Sequence, residues 1–311
     1  MLIQELNITE FRGINKTARP LKLCNLTVLI GRNNSGKSSI LEAISLFPSP
    51  SQNEPLLGES SIKKLLSTHH TELKNYRKLI YRYEGFSKIT YKINDIDKEL
   101  SIVIEAKDIK LYKNNELIPA TNFGIDCRTL YIPNDTLILD KMEQRMEDLK
   151  KQIEKNGIHR SVARSLNKCV DDEYSEIVFL TPISIRKVFP DDSSFLELND
   201  LGSGAEKVVK IMSLIEVLDP DILLLDDLES GLHPSLIKMF LEWLVDKKYQ
   251  TIISTHSIDV LYYLNELVNK NCIILQLNKS KNDILNYKEL SLEELRDLLD
   301  GNIDPRLLLN L

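Results

Sequence analysis

Lys37 and Ser38 are the residues of this chain best placed to do chemistry, because of what precedes them. They belong to the stretch Gly31-Arg32-Asn33-Asn34-Ser35-Gly36-Lys37-Ser38-Ser39, which fits the spacing G-x-x-x-x-G-K-[ST]. Glycines at both ends of such a loop let successive backbone N–H groups turn inward and surround phosphate oxygens. A helix that starts at the second glycine adds the partial positive charge of its N-terminus at the same spot. Lys37 then reaches the β- and γ-phosphates of a nucleotide, and the Ser38 hydroxyl is a ligand for Mg2+. Gly31, Asn33, Asn34, Ser35, Gly36, Lys37, Ser38 and Ser39 are therefore the expected phosphate cradle. A glycine-capped surface turn is the other use of such a stretch.

Three stretches in the second half of the chain narrow the choice. "PDILLLDDLESGLHP" runs four apolar residues into Asp226-Asp227, delivering a carboxylate to the C-terminal end of a buried strand, where a metal bound to nucleotide has to be organised. "NDLGSGAEKVVKIM" sets Gly202-Ser203-Gly204 at the start of an apolar helix, whose free N–H groups with the Ser203 hydroxyl form a second anion site. "TIISTHSIDVL" ends a strand at Ser254-Thr255 and presents His256 near the same edge. Taken singly, these also fit a polar strand cap, a capped turn and a hydrogen-bonded structural histidine. Their order on successive elements of one α/β segment favours a single site.

Behind the phosphate loop, residues 26–30 form a continuous apolar run, as in a strand buried on both faces. Ile40, Leu41 and Ile44 then recur at helical spacing. From residue 201 onward helices and buried strands alternate (206–218, 221–225, 234–247, 251–254, 257–268, 273–277), the rhythm of a mainly parallel sheet with helices on both faces. Between the two segments, residues 76–119 alternate like an antiparallel meander, and Met142, Met146, Leu149 and Ile153 mark a helix over 136–156. A break at Gly157 and a second helix over 161–169 complete a short helical hairpin. Residues 2–8 alternate like an edge strand, 21–23, 129–132, 177–188 and 195–198 are strand-like, and 62–66 is helical. "SLEELRDLLDG" is a helix with Ser291 as its cap and Glu294 at the third position. The expectation is one domain over 1–311, with an N-terminal lobe (1–132), a helical hairpin insertion (133–175) and a C-terminal lobe (176–311).

Composition fits a globular chain: 311 residues, 42% hydrophobic and 28% charged. No apolar run reaches membrane-spanning length and no signal peptide precedes the first strand, so the expected location is the cytoplasm and no membrane partner is expected. Cys24, Cys127, Cys169 and Cys272 lack CxxC pairing and read as reduced core thiols. The net charge of −6 does not invite nucleic acid globally, yet residues 59–92 and 140–168 are locally basic. Such stretches serve either a phosphate backbone or a solvated face.

The motifs together resemble ATPases of the ABC type, in the branch that includes structural-maintenance-of-chromosomes (SMC) proteins, recombination and repair ATPases, and the ATPase half of OLD-family nucleases. "ITEFRGINKTARPLKLCNLTVLIGRNNSGKSSILEAI" resembles the opening of that branch, "LGSGAEK" its signature motif, "LLLDDLESGLHP" its Walker B and D-loop segment, and "STHS" its switch histidine. The resemblance covers about residues 1–47 and 195–276. It implies a P-loop fold, ATP and Mg2+ as ligands, and a homodimer closed around two ATPs. Ser203 and Gly204 of one copy would complete the γ-phosphate site built by Lys37, Ser38 and Asp226 of the other. Asp226 would hold the metal, Asp227 would be the catalytic base and His256 would sense the γ-phosphate, so Lys37, Asp227 and His256 are the implied catalytic residues. In the family a glutamate follows the Walker B aspartate. Asp227 is one methylene shorter, which implies slow turnover unless Glu229 substitutes.

The family's Q-loop glutamine has no clear counterpart, since Gln144 lies on the predicted helix and Asn134 sits in "YIPND". Arg12 and Arg32 are further nucleotide contacts to weigh against plain exposed arginines. The resemblance implies a role in DNA repair or anti-phage defence, with DNA or a separately encoded nuclease or other effector as partner. No nuclease module is expected within these residues, nor the long arms of chromosome proteins. The alternatives are the ATPase subunit of a membrane transporter and a non-hydrolysing nucleotide-binding scaffold.

Overall fold

A computed structural model describes residues 3–70, 75–93, 98–119, 123–267 and 271–308. Met1, Leu2 and Val268, which the sequence assigns to the leader into the first strand, the start of that strand and the end of a helix, lie outside the described residues. The strands are β1 (Ile3–Phe11), β2 (Ile14–Thr17), β3 (Leu21–Lys22), β4 (Leu26–Ile30), β5 (Ser87–Ile93), β6 (Lys98–Ile104), β7 (Ile109–Lys113), β8 (Glu116–Ile118), β9 (Thr129–Ile132), β10 (Glu173–Val178), β11 (Ser184–Val188), β12 (Ser193–Glu197), β13 (Ile222–Leu225), β14 (Gln250–Ser254), β15 (Cys272–Lys279) and β16 (Ile284–Leu290). The helices are α1 (Lys37–Ser45), α2 (Ser61–Thr68), α3 (Thr136–Lys155), α4 (Ile158–Leu166), α5 (Ser203–Leu218), α6 (Pro234–Val245), α7 (Ile258–Leu267) and α8 (Leu292–Asp300).

One 13-stranded sheet runs in the order β8-β7-β6-β5-β1-β2-β16-β15-β4-β14-β13-β9, with β3 also paired to β1. Its neighbouring strands β9, β13, β14, β4 and β15 are mutually parallel, and β16 turns back antiparallel to β15 and joins β2. The expected meander is β5 to β8, and it continues this same sheet through β1. Thus the parallel order holds for the five strands at the nucleotide-type loop, and the remaining pairings are antiparallel except that of β16 with β2.

The continuous apolar strands divide their side chains between two cores. Val28, Ile30, Leu223, Leu225 and Ile253 point to one face, where α3 to α8 cover them. Leu29, Ile222, Leu224 and Ile252 point to the other, against α1, α2 and the inner face of the meander. Burial on both faces is why these strands read as unbroken apolar runs. The meander closes over α1, where the Tyr91 hydroxyl donates to the Ala43 carbonyl at 2.6 Å and its ring lies 5.2 Å from Phe47.

Several expectations change in detail. β1 is an internal strand paired to β2, β3 and β5, since a strand with one wet face alternates in sequence as an edge strand does. Residues 76–83 form two short 3-10 turns instead of a first meander strand, because Arg82 and Tyr83 adopt left-handed backbone with φ of 52° and 65°. β10, β11 and β12 form a separate three-stranded antiparallel sheet that leads into the turn before α5. The helical hairpin is α3 and α4, with Met142, Met146, Leu149 and Ile153 all buried against the core. The α8 capping box forms as expected, Glu294 N to Ser291 Oγ at 3.1 Å and Ser291 N to Glu294 Oε2 at 2.8 Å.

Candidate functional site

The loop after β4 folds tightly over its own lysine. A Cβ on Gly31 would lie 2.6 Å from the Leu277 carbonyl oxygen, so only glycine lets β4 and β15 approach here. Lys37 is buried, and its ammonium donates to the Gly31 and Arg32 carbonyls at 3.1 and 3.2 Å. Burial lowers its pKa, and the carboxylates of Asp227, Asp226 and Glu229 partly offset that. The Ser35 hydroxyl is buried with no hydrogen-bond partner among the described residues. A cradle whose lysine is held only by carbonyls, beside an unpartnered hydroxyl, can give up these contacts to an anion. Asn33, Asn34 and Ser38 are exposed at its rim, Ser39 is half-buried, and Lys279 steadies Asn34 from outside at 3.2 Å.

Asp226 stands at the end of β13 as the sequence requires. Its carboxylate accepts from Ser254 Oγ, from the Tyr131 hydroxyl at 3.4 Å and from Ser38. Burial raises its pKa, and the bonds from Ser254 and Ser38 work against that rise. Tyr131, on the adjacent β9, is pushed well above the ordinary tyrosine range by burial and then by Asp226. One hydroxyl and one carboxylate joined in this way suit Mg2+, which keeps waters and phosphate oxygens in most of its positions. Ser38 and Asp226 would hold that ion, with ATP supplying further oxygens.

Asp227 adopts φ of 45°, a conformation aspartate tolerates, and its backbone N–H donates to Ser254 Oγ at 2.9 Å. This aims Asp227 at His256, with Oδ1 3.6 Å from Nε2. The same Oδ1 is buried without a hydrogen-bond partner among the described residues. The His256 N–H donates to Glu229 Oε1 at 2.6 Å, and Glu229 Oε2 is buried and unpartnered. Lys37, Ser38, Asp226, Asp227, Glu229 and His256 are thereby brought together at the C-terminal ends of parallel strands.

Ser203 and Gly204 start the helix that rests on the D-loop after Asp227. They open α5 beside a cleft of about 290 Å3 lined by Asn134, Asp140, Lys207, Ser230 and Gly231, with none of residues 31–39 in its wall. Ser203 is exposed, while Gly204 packs so closely on the D-loop that a Cβ would lie 2.8 Å from the Gly231 carbonyl oxygen. Lys207, one turn further on, donates to the Ser230 carbonyl at 2.9 Å. Asn134 lines this cleft, whereas Gln144 bonds Asp148 at 3.3 Å on the exposed face of α3.

Arg12 does not stand free for a nucleotide. It bonds Glu42 at 2.9 Å, His69 at 3.0 Å and the Lys78 carbonyl at 3.0 Å, bracing α1 from beneath. Arg32 remains exposed on the loop. In the two basic stretches, Lys63, Lys150, Arg160 and Lys168 have acidic partners, and Lys64 is buried in an ion pair with Glu54 at 3.1 Å. The sequence reading missed Tyr131 and Ser254 as partners of Asp226. Ser254 was visible as the first residue of "STHS", whereas Tyr131 gave no signal because only topology sets β9 beside β13.

Fold and site together define a P-loop nucleotide-binding domain of the ABC type. The chain belongs to the AAA ATPase domain families: residues 1–159 match the family described as "AAA ATPase domain", and residues 84–261 that described as "AAA domain, putative AbiEii toxin, Type IV TA system". It is similar to an ATP/GTP phosphatase of Helicobacter pylori, 20% identical over 333 residues that cover 86% of this chain and 89% of that one. Among solved structures it is similar to an SMC head bound to the C-winged helix domain of ScpA, with a TM-score of 0.61, 14% identity and coverage of 96% and 100% of the two chains. It is also similar to the recombination mediator RecF with bound ATPrS, with a TM-score of 0.51, 14% identity and coverage of 92% and 98%. At those identities the structural likeness is one of fold. The fold is that of the ABC-type ATPase domains in these SMC and RecF structures. These findings lend the transporter alternative no support, and among the described residues no helix is long and apolar enough to cross a membrane.

Proposed function

We propose that this chain is a single ATPase domain that pairs with a second copy around two ATPs and works as a slow switch. Its own residues divide the task. The amides of residues 31–39 and the Lys37 ammonium hold the phosphates, and Ser38 with Asp226 holds Mg2+, which when bound neutralises charge between the β- and γ-phosphates. Asp227 accepts the proton of the attacking water, and His256 beside it senses the γ-phosphate. Ser203 and Gly204 of the other copy close the site with the amides of the α5 N-terminus.

The observation that carries this reading is what lines the cleft at Ser203. The phosphate loop, Asp226 and Asp227 meet at one place, while exposed Ser203 opens a cleft that the loop of its own chain does not line. Complementation between variants tests it. Lys37→Ala and Ser203→Arg should each be inactive alone, and mixing them should restore hydrolysis, because one composite site in the mixed dimer is intact. No recovery on mixing would contradict the pairing.

Asp227 sets the rate. Shortening the base by one methylene withdraws the carboxylate by about 1 Å, a displacement that costs about a hundredfold. Asp227→Glu should therefore accelerate turnover, and Asp227→Asn should abolish it while sparing nucleotide binding. The buried, unpartnered Asp227 Oδ1 favours an enzyme over a non-hydrolysing scaffold. An equal, near-zero rate in wild type and both variants would favour the scaffold.

The service we propose for this switch is in DNA repair or anti-phage defence in the cytoplasm, acting on DNA or on a separately encoded nuclease or other effector. Support comes from the toxin-antitoxin wording of one matching family, from the ScpA-bound SMC head and from the recombination mediator. Duplex DNA binding that strengthens with a non-hydrolysable ATP analogue and weakens with salt would favour DNA. Its absence would favour a protein effector.

A further inference from the structure

The turn that carries His256 is gripped from two sides. Its N–H donates to Glu229, which follows the Walker B strand, and its carbonyl accepts from Arg306 NH1, which follows α8. Arg306 is itself fixed: its Nε and NH2 donate to Asp304 at 2.8 and 2.6 Å, and its backbone N–H donates to the same carboxylate at 2.9 Å. Inside the turn, Ser257 N donates to Thr255 Oγ1 at 3.0 Å and Asp259 N to Ser257 Oγ at 3.1 Å. The backbone of His256 thus has one contact to the loop after β13 and one to a segment 50 residues away in sequence.

Carboxylates from three segments hold the charge of Arg306: its hydrogen bonds to Asp304 raise its pKa first, and Asp259 and Glu229 add to that. A guanidinium next to the start of α7 faces the positive end of that helix. Asp259 in the first turn of α7 and Asp304 compensate for it. The cation so held is aimed at one carbonyl, and that carbonyl belongs to His256.

We propose that Arg306 is a positioning residue for the switch histidine: by holding the His256 carbonyl it fixes the imidazole against Asp227, so that displacing residues 301–308 slows hydrolysis without weakening ATP binding. This inference rests on the reading of His256 as the γ-phosphate sensor. Through it the segment after α8 gains control over the site by the Arg306 side chain.

The test uses the full chain with Arg306→Ala, Arg306→Lys and Asp304→Asn. Two readouts are taken: amide hydrogen exchange of residues 255–258 without nucleotide, and kcat and KM for ATP. Arg306→Ala should speed exchange in that turn and lower kcat, each by about tenfold, with KM within about twofold. Arg306→Lys, which keeps one donor, should recover part of both, and Asp304→Asn should fall between wild type and alanine. In a His256→Ala background, Arg306→Ala should lower kcat no further. Unchanged exchange at 255–258 in both Arg306→Ala and Asp304→Asn would overturn the proposal, as would an equal loss of kcat with and without His256. Should wild type hydrolyse no ATP, the proposed function falls, and the exchange comparison still decides whether Arg306 holds the turn.

Discussion

The two halves of the large sheet are made of similar strands, yet only one half gathers the candidate site residues. β9, β13, β14 and β4 run parallel, so their C-terminal ends share one edge. There the chain sets Asn134, Asp226 with Asp227, Thr255 with His256, and the loop beginning at Gly31. β5 to β8 run antiparallel, so each edge receives alternating strand ends joined by tight turns such as Asn114-Asn115, with φ of 51° and 67°. Such a meander buries one face against α1 and leaves the other to Lys88, Lys92 and Lys110. Parallel order gathers functional groups; antiparallel order, here, covers the helix that positions them.

That contrast can be broken most sharply at Lys37. Lys37→Ala should lower ATP affinity and turnover by a hundredfold or more, roughly what loss of one preorganised charge in a phosphate site costs. Its melting temperature should change little, because the lysine bonds only carbonyls of its own loop. In the other half, Ile102→Ala should destabilise the fold by about 2–5 kcal/mol, the range for emptying a fully buried aliphatic site. KM for ATP should stay unchanged at temperatures where the variant is folded. A KM shift as large as the stability loss would show that the meander shapes the site directly.

A smaller effect follows from pH. Lys37 must be cationic to hold phosphate, and burial lowers its pKa from the ordinary 10.5. The protonated form is therefore lost earlier on the alkaline side than for a free lysine. Affinity for a non-hydrolysable ATP analogue should begin to fall at a pH below 10.5, and titration calorimetry across the alkaline range checks the onset. Lys37→Arg, which stays charged, should abolish that fall even if its affinity is lower throughout.

Much of this was legible in the sequence, for physical reasons. Strands buried on both faces appear as unbroken apolar runs, and polar residues at their ends announce an edge where ligands bind. That is how Lys37, Asp226 and His256 could be named before any coordinates. β16 is legible too, because Leu285, Tyr287 and Leu290 are buried between less buried neighbours. What stayed hidden depends on contacts between distant segments. Tyr131 meets Asp226, Arg12 meets Glu42, and Arg306 meets His256, and no local pattern encodes these pairings. The turns at 76–83 misled because Leu, Ile and Tyr alternate there as in a strand, while two left-handed residues bend the backbone.

The central claim is that two copies share their nucleotides, and sedimentation with and without an ATP analogue tests it most directly. Wild type should be monomeric alone and dimeric with the analogue, and Ser203→Arg should bind the analogue with ordinary affinity yet stay monomeric. A wild type that saturates with nucleotide and remains monomeric, or a Ser203→Arg variant that still dimerises and hydrolyses ATP at the wild-type rate, would contradict the account.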